Sequence, residues 1–253
     1  PGNFTFRTRE FEQMEMQFFV KPETADEWFE FWRHERMKWH TALGVRPEKL
    51  RFHQHTKDEL AHYAKDAYDI EYEFPFGWHE FEGIHNRTNF DLSRHQEHSG
   101  KKLEYLDTAT NERFVPFVVE TSVGADRATL VLLCDAYHEE EVAGEKRVVM
   151  RFHPALAPLK AAVFPLVNKD GMPELARRIY DGLRGRFNVF YDDGGSIGRR
   201  YRRQDEAGTP FGITIDGQST QDQTVTVRDR DTLQQVRVAA DRLLEHLQER
   251  LKG

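Results

Sequence analysis

Polar and apolar residues alternate near the start of the chain, and the alternation predicts an extended strand from Arg7 through Phe18. Successive side chains of a strand point to opposite faces. One face then carries Arg7, Arg9, Phe11, Gln13 and Glu15, and the other carries Thr8, Met14, Met16 and Phe18. At ~3.3 Å per residue, Arg7 and Glu15 lie roughly 26 Å apart. This face suits an elongated ligand such as a nucleotide with an amino acid, although a solvated edge strand shows the same alternation.

A helix is predicted next. Residues 24–27 read as a capping box, which marks its first turn. The large apolar residues that follow recur at near-helical spacing, at Trp28, Trp32, Trp39 and Leu43. We expect them in the core rather than in a base-stacking platform.

Three more strands are predicted, at residues 67–76, 77–84 and 114–123. In the second of these, Glu80 and Glu82 are two residues apart and are expected to line a cleft together. In the third, Glu120 and Ser122 point the same way for the same reason.

A helix over residues 125–138 follows and places Arg127 in its first turn. A cation there is unfavourable for the helix dipole. Its guanidinium and the free N–H groups of the first turn would instead bind a phosphate. A lone arginine at a helix start is, however, most often a surface residue.

The charged residues Glu139, Glu140, Glu141 and Glu145, together with Gly144, predict a polar break between two parts of the chain. Strands and helices then alternate, as expected for an α/β unit. The predicted strands are at residues 161–167, 189–191, 211–215 and 224–228, and a helix is predicted over 172–186. A terminal helix is predicted from the apolar stripe Leu233, Val236, Ala240, Leu243, Leu247 and Leu251.

Composition narrows the class of protein. The 253 residues are 38% hydrophobic and 31% charged, as in a soluble, cytoplasmic protein with one large or two modest cores. The sequence has no long apolar run that predicts a membrane span or a signal peptide. The single cysteine, Cys134, lies in an apolar helical run and is expected to be a buried structural thiol, so disulfides and cysteine-rich zinc sites are excluded.

The net charge of −7 is unevenly distributed. From residue 151 onward the chain has 17 Lys and Arg against 14 Asp and Glu, so this part is +3 and the preceding part is −10. Within it, residues 199–203 place four arginines around Tyr201. Such a cluster can neutralise phosphates and stack a base, although a charge run is more often a solvated helix face.

Twelve histidines raise the possibility of a metal site. The candidate pairs are His53 with His55 and His95 with His98. Neither pair has a strong zinc spacing, and the partner cysteines are absent. We therefore expect no protein-held metal, and a metal-dependent hydrolase lacks an identifiable ligand set.

Three segments resemble one family in the right order. Residues 6–15 read FRTREFEQME and resemble the second half of motif 2 of class II aminoacyl-tRNA synthetases, in the glycyl-tRNA synthetase form. Residues 120–127 read ETSVGADR and are similar to motif 3 of that family. GRRYRRQDE at 198–206 and GTPF at 208–211 resemble its anticodon-binding domain.

The resemblance implies an α/β (α+β) fold. Residues 1–152 would form part of a class II catalytic domain with an antiparallel sheet, and residues 153–253 an α/β anticodon-binding domain. The implied activity is glycine–tRNA ligation: glycine and ATP form glycyl-adenylate, and the glycyl group passes to tRNA(Gly). Mg²⁺ is implied with the ATP, and a homodimer is implied through motif 1.

The resemblance also assigns roles to residues. Those expected to be catalytic are Arg7, Glu15 and Arg127. Those expected to bind ATP are Phe6, Arg7, Glu10, Phe11, Glu80, Phe81, Gly124, Asp126 and Arg127. Those expected to bind glycine are Phe11, Gln13, Glu15, Arg87, Glu120 and Ser122. Those expected to bind tRNA are Arg199, Arg200, Arg202 and Arg203.

The resemblance begins inside motif 2. Motif 1, the earlier motif 2 arginine and a glutamate of the glycine pocket are therefore expected to come from a longer protein or from another chain. The alternative is a non-catalytic tRNA-binding module with a synthetase-like fold. Such a module has no physical need for residues that bind ATP and an amine, so their presence favours the ligase.

Overall fold

A computed structural model describes residues 1–251 of the chain. It forms two compact units, which divide between Cys134 and Asp135. The predicted mixed α/β class is confirmed. No helix within residues 1–251 is both long enough and apolar enough to cross a membrane.

The first unit is built on an antiparallel sheet. Its strands are β1 (Gln13–Val20), β2 (Leu50–Gln54), β3 (Asp66–Phe74), β4 (Gly77–Thr88), β5 (Tyr105–Asp107), β6 (Glu112–Phe114) and β7 (Phe117–Gly124). Its helices are α1 (Ala25–Ala42), α2 (Phe90–Ser99) and α3 (Ala125–Ala136). Five strands pair in the order β1-β7-β4-β3-β2, and β5 and β6 form a separate hairpin.

The alternation along β7 divides the two faces of this sheet. Val119 and Val123 are buried in the core with Phe29 of α1, while Glu120 and Ser122 point to the opposite face. The predicted strand begins three residues later than expected, because Phe114 belongs to β6, and the placement of Glu120 and Ser122 on one face is confirmed. One face therefore carries the hydrophobic core, and the other is free for a site.

The strand predicted from Arg7 onward is wrong over its first half. Asn3 and Phe4 adopt positive φ angles, and Gly2 pairs with Arg7, so the chain turns back before the sheet begins. Regular pairing starts only at Gln13. Arg7, Arg9 and Phe11 therefore do not share a strand face with Gln13.

Helix α1 differs from its prediction in two respects. The hydroxyl of Thr24 donates to the carbonyl of Lys21 and makes no capping bond, so there is no capping box. Trp28 and Trp39 are 37% and 38% exposed, so they are not core residues. The buried positions are Ala25, Phe29 and His40, and Trp32 is only partly buried.

Glu82 does not share a cleft face with Glu80, and that prediction is wrong. The pairing of β3 with β4 skips a residue, since Ile70 faces Glu82 and Glu71 faces Glu80. One extra residue in a strand inverts the alternation. Glu82 is consequently fully buried, and it binds Arg36 (2.5 Å to Nε) and His40. Burial opposes its ionisation, but the bonds from His40 and Arg36 keep the pKa of Glu82 below its ordinary value.

The second unit contains a mixed sheet with helices. Its strands are β8 (Tyr137–Val142), β9 (Glu145–Met150), β10 (Ala161–Pro165), β11 (Val189–Tyr191), β12 (Phe211–Ile215), β13 (Thr224–Asp229) and β14 (Gln235–Ala239). Its helices are α4 (Met172–Leu183), α5 (Ile197–Ala207), α6 (Gly217–Asp222) and α7 (Leu243–Arg250). The strand order is β11-β10-β12-β13-β14, with β10 parallel to β11 and β12 and the remaining pairs antiparallel.

The predicted polar break is instead the β8–β9 hairpin. Ala143 and Gly144 both have positive φ angles, as a two-residue hairpin turn of the I′ type requires. The hairpin packs against α5, where Arg147 of β9 binds Asp205 at 2.9 Å. The division between the units therefore precedes the hairpin, whereas the predicted domain boundary follows residue 152.

The predicted terminal helix is shorter than its apolar stripe. Leu233 has a positive φ angle, and Val236 lies on the edge strand β14. Only the later part of the stripe is helical, and its Leu243 and Leu247 are buried.

Candidate active site

The face of the five-stranded sheet opposite the core forms the floor of a cleft of about 840 Å³ in the first unit, here called the sheet cleft. Of the residues predicted to bind ATP or glycine, it is lined by Phe6, Arg7, Phe11, Gln13, Glu15, Glu80, Phe81, Arg87, Glu120, Ser122, Gly124, Asp126 and Arg127. Glu10 is the exception, because it lies in the exposed turn before β1. Arg9 does not line the cleft either.

Cross-strand pairs order the acidic part of the floor. Glu120 of β7 lies between Gln17 of β1 and His85 of β4, and Ser122 lies between Glu15 and Gly83 in the next row. The amide of Gln17 donates to Oε2 of Glu120 at 2.5 Å. The Ser122 hydroxyl accepts a bond from the Gln13 amide at 3.0 Å and lies 3.4 Å from Oε1 of Glu15.

Arg87 holds Glu120 in place. Its Nη1 lies 3.0 Å from both carboxylate oxygens of Glu120, and its Nε donates to Asp91 at 2.9 Å. The guanidinium also lies 4.1 Å above the ring of Tyr63. Burial opposes the charge of Arg87, yet Asp91 and Glu120 raise its pKa above its ordinary value. With Glu15, this group has three carboxylates and one guanidinium, so the acidic end is net negative.

The cationic end lies further along the same strand. Gly124 follows Glu120 by four residues on β7, or ~13 Å, and Arg127 comes in the first turn of α3. Nε of Arg127 donates to the carbonyl of Phe6 and Nη1 to the carbonyl of Glu80, both at 3.1 Å. Its guanidinium lies 4.3 Å above the Phe6 ring and 3.3 Å from the Glu80 carboxylate. The sheet cleft therefore has Arg127, paired with Glu80, at one end and a net negative group of carboxylates at the other.

An exposed aromatic ring lies beside this gradient. Phe11 is 61% exposed and lines the cleft two residues before β1 begins. An exposed ring next to polar groups is able to stack on a flat ligand. Arg7 also lines the cleft and is exposed.

Sequence reasoning missed several residues of the sheet cleft. They are Thr5, Thr8, Gln17, Tyr63, Gly83, His85, Asp91 and His95. Period-two spacing could have found Gln17 from Gln13 and Glu15, and Gly83 and His85 from Arg87. The remaining residues come from turns or from α2, which a strand pattern does not place.

The four arginines of α5 do not form one free cationic patch. Arg200 is buried, and it donates to the backbone carbonyls of Pro165, Asp193 and Gly195. Arg202 binds Glu145 at 3.1 Å and Arg203 binds Asp192 at 2.6 Å. Of these four arginines, Arg199 alone is exposed and has no ion pair within residues 1–251.

Tyr201, at the centre of this run, is not placed to stack a base. Its hydroxyl bonds Thr214 at 2.7 Å, and its ring packs on Phe164. A side chain at Gly212 would overlap with this ring, so the glycine allows the tyrosine to pack against the sheet. Burial raises the pKa of Tyr201.

Within residues 1–251, no group of three or more His, Cys, Asp or Glu side chains is arranged to hold a metal ion. His53 contacts Glu59, and His55 contacts Asp69. Each of these two histidines is therefore paired with a carboxylate.

Comparisons with known proteins bear on both units. A protein family described as "Anticodon binding domain" matches residues 160–250. Glycine--tRNA ligase of Treponema denticola is 55% identical over 99% of this chain and 57% of its own length. The proteins of that name from Caldanaerobacter subterraneus subsp. tengcongensis and Clostridium acetobutylicum are 55% and 52% identical over the whole chain and 54% of their own lengths. The resemblance found in the sequence is confirmed, and the chain spans about half the length of these curated relatives.

Proposed function

We propose that this chain, which is homologous to about half of each glycine--tRNA ligase named above, serves the same reaction. In this proposal the first unit binds ATP and glycine, and the second binds the anticodon arm of tRNA(Gly). The proposal extends to a homodimer, for which sedimentation velocity of the purified protein is the measurement.

The charge gradient of the sheet cleft carries the proposal for the first unit. ATP requires cations for its phosphates and a surface for its base, and free glycine presents an ammonium. The phosphates would meet Arg7 and Arg127, and the base would meet Phe11. The ammonium would meet the carboxylates of Glu15 and Glu120. A module that binds only tRNA has no use for this combination, so the ligase is favoured.

The reaction requires no protein nucleophile. The glycine carboxylate attacks the α-phosphorus of ATP and pyrophosphate leaves. A hydroxyl at the 3′ end of the tRNA then takes the glycyl group, and AMP leaves. Catalysis consists of holding the reactants in line and neutralising phosphate charge. Arg7 and Arg127 would contact the β- and γ-phosphates, and Phe11 would stack on adenine.

Magnesium would accompany the nucleotide. Glu80 and Asp126 line the cleft close to Arg127 and offer carboxylate oxygens, the ligand type that Mg²⁺ takes. When bound, the ion would offset phosphate charge. The positioning of the phosphates by Arg127 does not depend on these carboxylates, because its guanidinium is fixed by two backbone carbonyls.

Glycine would bind at the acidic end. Glu15, Glu120 and Ser122 would accept hydrogens from its ammonium, with Gln13 orienting the Ser122 hydroxyl. Arg87 would act through Glu120, whose two oxygens it fixes. Excluding alanine requires only a pocket too tight for one methyl group, which provides about 1 to 3 kcal/mol of discrimination.

The test is calorimetric binding of a stable analogue of glycyl-adenylate, 5′-O-(glycylsulfamoyl)adenosine. The matched ligand is the alanyl analogue, and the matched variant is Glu120→Gln. We expect tight binding of the glycyl analogue, about ten- to a hundredfold weaker binding of the alanyl analogue, and a loss in the variant. Equal binding of the two analogues would remove glycine from the proposal, and no binding of either would remove the adenylate.

For the second unit we propose contact with the anticodon loop by base stacking and edge bonds, with a salt-sensitive phosphate contribution. Arg199 is the exposed arginine of α5 that makes no ion pair within residues 1–251, so Arg199→Ala should weaken binding of an anticodon stem-loop of tRNA(Gly) and reduce its salt dependence. Arg200→Ala is not a suitable test, because Arg200 supports the fold. The measurement is fluorescence anisotropy, with a stem-loop of scrambled loop sequence as control. Equal affinity for both RNAs would contradict recognition of the anticodon.

A further inference from the structure

His85 lies beside Glu120 in the sheet cleft, and a glycine leaves room for the His85 side chain. The two residues form a direct cross-strand pair between β4 and β7. Gly83, two residues before His85, makes room for the imidazole, because a Cβ there would lie 2.8 Å from its Cε1. The ring therefore lies over Gly83, in the row that also contains Ser122 and Glu15.

One ring nitrogen of His85 has no hydrogen-bond partner. Its Nδ1 is buried and unpaired within residues 1–251, and the nearest carboxylate atom, Oε1 of Glu120, is 3.8 Å away. This separation is too long for a hydrogen bond. A buried polar atom without a partner calls for an explanation, and a bound ligand is one.

We propose that His85 is a further ammonium-binding residue, and that its Nδ1 and Oε1 of Glu120 accept hydrogens from the same amine. An amine nitrogen about 2.8 to 2.9 Å from each atom spans a 3.8 Å gap. Three N–H donors of an ammonium would then reach His85, Glu120 and the pair of Ser122 and Glu15. The inference rests on the proposed function, since glycine is the amine concerned.

The role requires a neutral imidazole with its lone pair on Nδ1. Burial lowers the pKa of His85, and His55 and Arg87 act in the same direction, while Glu120 and Asp69 oppose them. The ring of His55 lies edge-on to that of His85 at 6.1 Å, and Nε2 of His55 contacts Asp69 at 2.9 Å. The lowered pKa of His85 favours the neutral imidazole, and acid would convert the ring into a competing cation beside Glu120.

The test is nitrogen NMR of protein labelled with ¹⁵N-histidine, titrated with glycine at pH 7.5. We expect the resonance of the unprotonated Nδ1 of His85 to shift as the lone pair accepts a hydrogen. Glycine affinity, measured in parallel by calorimetry, should fall as the pH decreases through the pKa of His85.

Two substitutions distinguish the hydrogen-bond acceptor of His85 from the bulk of its ring. His85→Asn places an oxygen near the position of Nδ1, so it should keep most of the affinity and lose the pH dependence. His85→Ala removes the acceptor and should weaken glycine binding by about tenfold or more. His95→Ala is the matched control, because His95 also lines the cleft but lies on α2. ATP affinity and melting temperature report whether each variant is folded.

The outcomes distinguish this inference from the proposed function. If the unchanged protein binds glycine but the NMR signal does not move and both variants bind as well as it does, His85 is a packing residue and the inference is overturned. If the unchanged protein binds no glycine, the proposed function and the inference are both overturned.

Discussion

Replacing Arg127 by alanine should weaken ATP binding while leaving glycine binding nearly unchanged. The guanidinium is pre-positioned by the carbonyls of Phe6 and Glu80, each 3.1 Å away, and by the Phe6 ring beneath it. The bonds of Arg127 within residues 1–251 use Nε and Nη1, which leaves Nη2 to donate to a phosphate. Arg127 and Glu120, which is proposed to bind glycine, are at opposite ends of the sheet cleft.

The magnitude follows from the contact that is lost. A hydrogen bond to a charged group contributes about 1.5 to 3 kcal/mol, which corresponds to roughly ten- to 150-fold in the dissociation constant. Removing Arg127 also leaves the Glu80 carboxylate, now 3.3 Å from it, without its cation. This carboxylate would repel the phosphates, so we expect a value in the upper half of the range. Arg127→Lys keeps the charge without the planar fork, so its ATP affinity should lie between those of the unchanged protein and Arg127→Ala.

The assay is calorimetric titration of ATP at low and at physiological salt. Arg94→Ala is the matched control, since Arg94 is an exposed arginine of α2 that pairs with Glu97 and does not line the cleft. An unchanged ATP affinity in Arg127→Ala would refute the phosphate assignment. Equal losses of ATP and glycine binding would mean that Arg127 supports the fold instead.

Three further predictions concern carboxylates. Glu15→Gln should weaken glycine binding by about tenfold or more with ATP binding unchanged, and Glu12→Gln, which lies outside the cleft, should change neither in the same titration. Asp205→Asn removes the charge between the largely buried guanidiniums of Arg147 and Arg228 and should destabilise the second unit by about 3 to 5 kcal/mol in urea denaturation, whereas the exposed Glu206→Gln should not. Because the pKa of Glu82 in the folded state is below its ordinary value of 4.5, its contribution to stability is present above that pH and is lost as the pH falls further; a Glu82→Gln variant with an unchanged acid-unfolding curve would contradict this.

The local alternation of β7 was sufficient to place part of the site. Glu120 and Ser122 were predicted on one face, and they lie there because no bulge interrupts the pairing of β7 with β1. Arg127 follows from the same strand, since α3 begins directly after it. These residues were predictable because a single continuous element positions them.

Other residues depend on long-range contacts that periodicity does not contain. The bulge in β4 inverts every residue on one side of it relative to the other, so Glu80 reaches the cleft while Glu82 joins Arg36 and His40 in the interior. The turn that brings Arg7 to the cleft depends on positive φ angles at two residues that are not glycine. An alternating pattern reports neither a one-residue shift in a strand nor a turn formed by residues other than glycine.

The arginines of α5 show a different limit, which affects where nucleic acid can bind. A guanidinium satisfies backbone carbonyls with the same planar set of donors that it uses for phosphate. Arg200 uses its donors on three carbonyls at the ends of β10 and of the loop before α5, and Arg203 shares that loop through Asp192 and Gly194. Arg200 and Arg203 therefore stabilise the loop before α5, and their donors are not free to bind RNA. The proposed contact with an anticodon would then involve Arg199 and surfaces outside the run, which is why the Arg199→Ala comparison, and not removal of the whole cluster, measures binding separately from folding.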